Sequence, residues 1–295
     1  MNTTDTIGII GGDSRQLFAA EYLSEKGYKT SVYGFTHTPI PPSLHTADKL
    51  EDVMKNKIIL LPLPLTKNGK TINSPLSQSD ISLKNIIENL TDDHIVLYGM
   101  APVNTERQIT AKCKFAVDYY KIESFTLKNA ALTAEGLVGV ILDKIPLSCN
   151  KMKIGITGFG RIAGFTAAKL HALGAEITVF ARNSSQLIKA SLSGYNAFNI
   201  SELTNKISGL DCIINTVPYI IIDECIISNS DKDCIFIEAA SAPYGIDFES
   251  CIKQERTLIK AFSLPGKTAP KSAGIIIAET IEECLSEVNT WKSST

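Results

Sequence analysis

Short runs of β-branched and aliphatic residues recur along this chain. Each is followed by a glycine or proline turn and then by a stretch of helical periodicity. Thr6–Ile10 is the first run; a Gly11-Gly12-Asp13-Ser14-Arg15 turn follows, and residues 14–26 carry helical spacing until Gly27. Lys29–Tyr33 reads as the next strand, and further buried strands are predicted at 58–61, 95–98 and near 115–117. Helices are predicted at about 80–90 and 104–112, with a proline-rich loop over Thr36–Leu44. A long apolar helix is expected from about Ser124 to Leu142, and Lys144–Asn150 with Pro146 reads as a linker. The alternation then restarts at Lys153–Thr157. It continues through a strand at Glu176–Phe180 and strands near 196–198, 211–215, 234–238 and 257–260. Residues 271–291 are expected to form a last helix. Strands alternating with helices predict mostly parallel sheets with right-handed crossovers.

The densest stretch is Lys153 to Arg182. A strand leads into Gly158-Phe159-Gly160-Arg161-Ile162-Ala163, a helix ends at Gly174, and a second strand follows. Strand, glycine turn, helix and strand within about 30 residues is the dinucleotide fingerprint in its G-x-G-x-x-A form. Gly158 suits the tight turn, Gly160 lets backbone approach a pyrophosphate, and Ala163 keeps the helix near the strand. Phosphates would sit on the helix N-terminus, so the turn residues through Ile162 are cofactor candidates. The fold class expected is therefore α/β: two Rossmann-like doubly wound parallel-sheet domains joined by long helices, with the cofactor site in the second. The expected division is a substrate-side domain at 1–125, a connecting helix and linker at 126–150, an NAD(P)-binding domain at 151–270, and a C-terminal helix at 271–295 returning to the first domain.

The end of the second strand of the fingerprint refines the cofactor. NAD-binding chains usually place an acid there for the ribose 2′-OH, whereas this one has Ala181-Arg182-Asn183-Ser184. Arg182 can pair bidentately with a 2′-phosphate, and Ser184 adds a donor, which favours NADP. The alternative is a solvated Arg182 and NAD as the cofactor. Asn215-Thr216-Val217-Pro218 follows a later strand, and Glu238-Ala239-Ala240-Ser241 stands one strand further. Ligands bind beyond the carboxyl ends of such strands, so Thr216, Val217, Pro218 and Ala240 are read as cofactor contacts. Gly11-Gly12-Asp13 lacks the spacing of a second dinucleotide site, and its acid would face phosphates.

Leu264 to Gly274, with Pro265 and Pro270, reads as a stiffened loop that opens the last helix. Lys267 and Lys271 bring positive charge there, suited to a substrate carboxylate. Asn129, Thr133 and Glu135 lie on the long helix; Asn129 and Thr133 share a face, while Glu135 points about 200° away from Thr133. Lys271 and Glu135 are the candidate catalytic groups, and Arg15, Asn129, Thr133 and Lys267 the candidate substrate contacts. With Arg15 on one domain and Lys271 on the other, the two cations would face a cleft from opposite sides.

Composition narrows the classes. The chain has 295 residues and a net charge of −2, with 44% hydrophobic residues, enough for two domains with cores. No basic block or aromatic-basic interleaving points to nucleic acid. The N-terminus lacks a basic and apolar leader, and no apolar run reaches the ~18 residues of a membrane span, so a cytoplasmic protein is expected. Seven cysteines are scattered without a C-x-x-C, Cys212, Cys225 and Cys234 beside apolar runs as buried thiols would be. Four histidines show no metal-ligand spacing, and no metal is expected. No His lies between Ile177 and Thr295, which counts against a 2-hydroxyacid-dehydrogenase relative. A non-catalytic NADP-binding regulatory subunit also fits the cofactor motif, while charged residues around the cleft argue for turnover.

Taken together, several features resemble the A-subunit family of dipicolinate synthases. They are Gly11-Gly12-Asp13 with Arg15-Gln16, the Asn129…Thr133-x-Glu135-Gly136 helix, Gly158-x-Gly160-Arg161, and Ala181-Arg182-x-Ser184. Asn215-Thr216-x-Pro218 and Pro265-Gly266-x-x-Ala269-Pro270-Lys271-x-Ala273-Gly274 complete the set. Ser14 stands where Ala is expected. The resemblance implies oxidation of a dihydro- or hydroxytetrahydro-dipicolinate precursor to dipicolinate, with NADP⁺ accepting hydride. It also implies the flavoprotein-like B-subunit of dipicolinate synthase as partner, and the mother cell of a sporulating bacterium as location. Self-association is expected as well.

Overall fold

The computed structural model describes residues 5–293, with side chains described up to Glu287. The chain divides into two units. One comprises the residues up to Asn129 together with those from Ala269 onward, and the other spans Ala130–Thr268. The helix Glu123–Lys144 runs through the boundary between them.

The first unit holds six parallel strands: β1 (Thr6–Ile10), β2 (Lys29–Tyr33), β3 (His45–Thr46), β4 (Ile58–Leu60), β5 (Ile95–Tyr98) and β6 (Phe115–Asp118). Their order is β3-β2-β1-β4-β5-β6. The second unit repeats the plan with β7 (Lys153–Thr157), β8 (Glu176–Ala181), β9 (Asn196–Asn199), β10 (Cys212–Asn215), β11 (Ile235–Glu238) and β12 (Leu258–Lys260). Its order is β12-β11-β10-β7-β8-β9, also parallel throughout. Both are doubly wound sheets whose order reverses at the first strand, the arrangement that opens a ligand crevice there.

Alternation within the strands explains their continuous apolar runs. Ile58 and Leu60 join one core layer and Ile59 the opposite one. Ile214 and Ile237 face one side of the second sheet, and Ile213 and Phe236 the other. Side chains of successive strand residues point to opposite faces, so a strand covered by helices on both sides reads as a near-continuous apolar run.

The last helix, Pro270–Ser293, packs on the helix Ser14–Glu25 of the first unit. Leu17, Ala20 and Leu23 meet Ile277, Ala278, Ile281 and Leu285 in one buried cluster. Each large aliphatic side chain among them contributes about 1.5–3 kcal/mol through burial. Gly274 permits the close crossing: a Cβ there would lie 2.5 Å from the Arg15 carbonyl oxygen. The expected loop at Leu264–Gly274 is helical instead, as a short helix Leu264–Thr268 followed by the long one. Both prolines sit in first turns, where the missing N–H forfeits no helical bond.

Helix Glu123–Lys144 reaches a mean hydropathy of 1.3 over 18 residues, a membrane-like value that the sequence reading did not anticipate. Within that stretch 44% of residues are buried in the molecule, and Leu137 and Ile141 belong to the second unit's core. It is a core helix by packing.

Candidate functional site

At the end of β7 the chain turns at Gly158, whose φ is +77°. A side chain is barred there twice over, by that left-handed backbone and by Val217 Cγ2, which a Cβ would approach to 2.8 Å. The helix Arg161–Ala172 then starts from Gly160, which is extended (φ −83°, ψ −165°) and supplies no side-chain cap. Space around the Gly160 Cα is open. First-turn N–H groups have no partner inside their own helix, so this end is fitted to an anion.

The glycine turn of the first unit is built to the opposite effect. Asp13 caps the helix Ser14–Glu25 with its own carboxylate in a capping box with Gln16. The position a phosphate would take is filled from within.

A cavity of about 760 Å³ opens beside Gly158, Phe159 and Gly160. Its wall continues through Phe180 to Asn183 at the exit of β8, then Gln186, Ile200 and Ser201, and closes with Thr216 to Tyr219 and Ile221. Among the described residues Arg182 is the one charged residue in that lining, and no carboxylate shares it. Its side chain is exposed and makes no hydrogen bond or ion pair with other described residues.

Of the residues expected to meet the cofactor, the cavity brings together Gly158, Phe159, Gly160, Ala181, Arg182, Thr216, Val217 and Pro218. Arg161, Ile162, Ser184 and Ala240 stand outside its wall. Ser184 is the first residue of the helix Ser184–Leu192, capped by Asn183, whose Oδ1 accepts from Ser185 N at 2.8 Å. Ala240 is buried with its N–H on Glu238 Oε1 at 2.8 Å. The sequence reading missed Gln186, whose Oε1 accepts from Phe159 N at 3.4 Å. Asn183-x-x-Gln186 has capping-box spacing and was the available signal. Ile200 and Ser201 open a single 3-10 turn, Ile200–Glu202, and Tyr219 and Ile221 lie in irregular backbone; both stretches are too short for periodicity to mark them.

The turn after β10 is held by a buried polar row. Thr157, Asn215 and Glu238 sit side by side on β7, β10 and β11, all fully buried. Thr157 Oγ1 donates to Asn215 Oδ1 at 2.6 Å, and Asn215 Nδ2 donates to Glu238 Oε1 at 2.7 Å. Thr216 Oγ1 donates to the Thr157 carbonyl at 2.7 Å.

The candidate substrate residues are more scattered. Arg15 is buried and already paired: Nε and Nη2 donate to the two Asp13 oxygens, each at 2.9 Å, and Nη2 also to the Leu63 carbonyl. Behind it, burial pushes the Tyr119 hydroxyl well above its ordinary ionisation, with the Arg15 charge opposing. Lys271 is exposed at the start of the last helix. It belongs to the same unit as Arg15, which corrects the expectation that the two cations come from opposite domains. Lys267 is exposed on the short helix of the second unit. Asn129 is half-buried, and Thr133 is buried. Glu135 is exposed and pairs with Lys169 Nζ at 3.2 Å. Lys169 lies eight residues along its helix from Arg161, about 12 Å away, which lends no support to an acid–base role for Glu135.

Among the described residues no three His, Cys, Asp or Glu side chains gather as a metal site. Six of the seven cysteines are buried, but Cys225 is exposed, against expectation. It takes the second position of the helix Glu224–Asn229, whose buried face is Ile226 and Ile227.

Comparison with known proteins shows what this arrangement is similar to. Residues 6–120 match the family model described as the N-terminal domain of the dipicolinate synthase A-subunit. The A-subunit of Bacillus subtilis dipicolinate synthase is 26% identical over 285 residues, covering 96% of each chain. The crystal structure of the corresponding protein from Bacillus halodurans superposes with a TM-score of 0.86 at 26% identity, over 96% of this chain and 98% of that one. The crystal structure of the Bacillus subtilis protein gives 0.85 at 25%, over 98% of both. A transhydrogenase from Sinorhizobium meliloti, at 12% identity and a TM-score of 0.70, shares the fold alone. From end to end the chain is thus similar to the dipicolinate synthase A-subunit, and its residues 6–120 match the model of that protein's N-terminal domain.

Proposed function

We propose that this chain is the NADP-dependent dehydrogenase component of a dipicolinate synthase. It oxidises a dihydro- or hydroxytetrahydro-dipicolinate precursor to dipicolinate together with a second, flavoprotein-like subunit, in the mother cell of a sporulating bacterium. The observation that carries the cofactor half is the cavity beside the glycine turn, with Arg182 as its one charge. The likeness to the A-subunit over the whole chain carries the substrate half.

The residues present fit a nicotinamide dinucleotide. The uncapped start of the helix Arg161–Ala172 offers N–H groups to the pyrophosphate, and Gly160 leaves room for it. Arg182 and Asn183 stand where the adenosine ribose would lie. An unpaired guanidinium favours a 2′-phosphate, and the missing carboxylate removes the usual ribose partner. Thr216 to Pro218 form the wall on the nicotinamide side. When bound, the nicotinamide supplies the hydride acceptor, and aromatisation of the substrate ring drives the oxidation forward.

The dicarboxylate substrate needs cations. Lys271 is the exposed candidate on the first unit, and Arg15 is held rigid by Asp13 and Leu63. Lys267 supplies positive charge on the second unit. Bidentate pairing with Asp13 makes Arg15 a carrier of shape more than of free charge.

The test is turnover. The purified chain is supplied with NADP⁺ and the dihydro- or hydroxytetrahydro-dipicolinate precursor, with and without its partner subunit. Dipicolinate should form well above the level of either protein alone. Full activity of the chain alone would contradict the partner requirement, and absence of product in every arm would contradict the enzyme reading.

A further inference from the structure

Glu238 closes β11 with its carboxylate fully buried, and no Lys, Arg or His pairs with it among the described residues. Burying a charge is costly unless every lone pair is met. Here all four neighbours are donors. Oε1 accepts from Asn215 Nδ2 at 2.7 Å and Ala240 N at 2.8 Å; Oε2 accepts from Gly245 N at 2.8 Å and Ile246 N at 3.0 Å. Only a carboxylate offers acceptors on both sides without a proton in the way.

Both ends of the cavity's Val217–Ile222 segment hang from this group. At one end, Asn215 Nδ2 also donates to the Val217 carbonyl at 2.9 Å, and Asn215 Oδ1 accepts from Val217 N at 3.2 Å. At the other, Ile221 N and Ile222 N both donate to the Gly245 carbonyl at 2.9 Å. Gly245 is seated so tightly that a side chain there would overlap Asn215 Nδ2 and the Val217 carbonyl. The segment between, Pro218 to Ile220, is exposed, with Tyr219 72% accessible. It has little packing of its own to fix it.

We propose that Glu238, acting through Asn215 and Gly245, is the positioning residue for this wall, holding Thr216 to Ile221 in the shape that admits the nucleotide. The inference rests on the reading that the cavity takes a nicotinamide dinucleotide. Glu238 touches no ligand itself; it replaces a flexible strand-exit loop with one tied at both ends to a rigid sheet edge.

Glu238→Gln is the direct test, because it keeps the shape and turns one acceptor into a donor that faces two donors. In the full-length chain it should weaken NADPH binding by about tenfold or more, as expected when buried hydrogen-bond partners are left unmet. Ile227→Ala, a core change in the same unit away from the cavity, serves as the control for lost stability. It should lower the melting temperature but leave NADPH affinity unchanged. Equal affinity losses in the two variants at matched stability would overturn the proposal, as would wild-type affinity in Glu238→Gln. Should Glu238→Gln fail to fold, Thr157→Val removes only the outer bond to Asn215 and should show a smaller loss in the same direction; no loss would overturn the proposal. Amide exchange without nucleotide separates this inference from the cofactor reading. Val217, Ile221 and Ile222 should exchange faster in either network variant than in wild type, and unchanged exchange would overturn the role of Glu238. Wild-type protein that binds neither NADPH nor NADH would instead overturn the cofactor reading, with the exchange comparison still deciding whether Glu238 holds the wall.

Discussion

A charge matters here according to what already surrounds it. Arg15 and Arg182 are both arginines near a glycine turn, yet Arg15 spends its fork on Asp13 and a carbonyl, and Arg182 spends its own on nothing among the described residues. Glu135 and Lys169 pair near the surface, where such pairs contribute about 0–1 kcal/mol. Glu135→Ala should therefore change the melting temperature little and leave kcat and KM near wild type; a loss of kcat beyond about tenfold would restore an acid–base role for it. Cysteine chemistry divides in the same way. Burial pushes Cys113 and Cys251 up to about 11, and Cys234 and Cys284 up to about 12. Thiolate is the reactive form, so these stay inert at neutral pH, while exposed Cys225 is accessible. A colorimetric thiol titration should find one rapidly reacting group in the native chain and all seven after denaturation. Several rapid groups in the native protein would contradict the burial.

Strand–turn–helix units decide where such side chains end up. Gly158→Ala illustrates the dependence: with φ at +77° and Val217 Cγ2 only 2.8 Å from the added methyl, the turn or the wall behind it must shift. A strained backbone of this kind costs about 1–3 kcal/mol, so thermal unfolding should occur several degrees lower and nucleotide binding should weaken together with it. Unchanged melting and binding would show that the turn tolerates a side chain. The glycine turn and the long strands could be read directly from the sequence, because apolar runs of fixed length between turn residues leave few alternatives. The polar row was not readable. Thr157 and Asn215 lie 58 residues apart, Asn215 and Glu238 a further 23, and the three meet only because β7, β10 and β11 are neighbours in register. The Leu264–Gly274 segment was misread for a different reason. Two prolines suggest a loop, but first-turn positions accept proline in a helix. The pairing of Arg15 with Asp13, two residues away, was local and foreseeable, but nothing in the sequence said that the Leu63 carbonyl would complete it.

Taken as a whole, the molecule uses one sheet plan twice, with the two glycine turns put to different ends. One is closed by its own Asp13, and the other is left uncapped beside a cavity. Stability of the whole should also respond to alkali. The buried thiols ionise near 9 when unfolded and only near 11 or 12 when folded, so their contribution is complete above pH 12 as a penalty and absent below pH 9: unfolding releases protons between those values, and stability falls as pH rises through that window. Melting temperatures recorded from pH 7 to pH 11 should hold up to about pH 9 and then fall; replacing Cys234 with Ala should flatten part of that fall. The central claim is that the second unit binds NADP through Arg182. Calorimetric titration of full-length wild-type protein and Arg182→Ala with NADPH and NADH tests it most directly. Wild type should prefer NADPH, and the variant should lose about 1.5–3 kcal/mol toward NADPH, roughly ten- to a hundredfold, while NADH binding changes little. Equal NADPH affinity in the two proteins, or a wild type that prefers NADH, would contradict it.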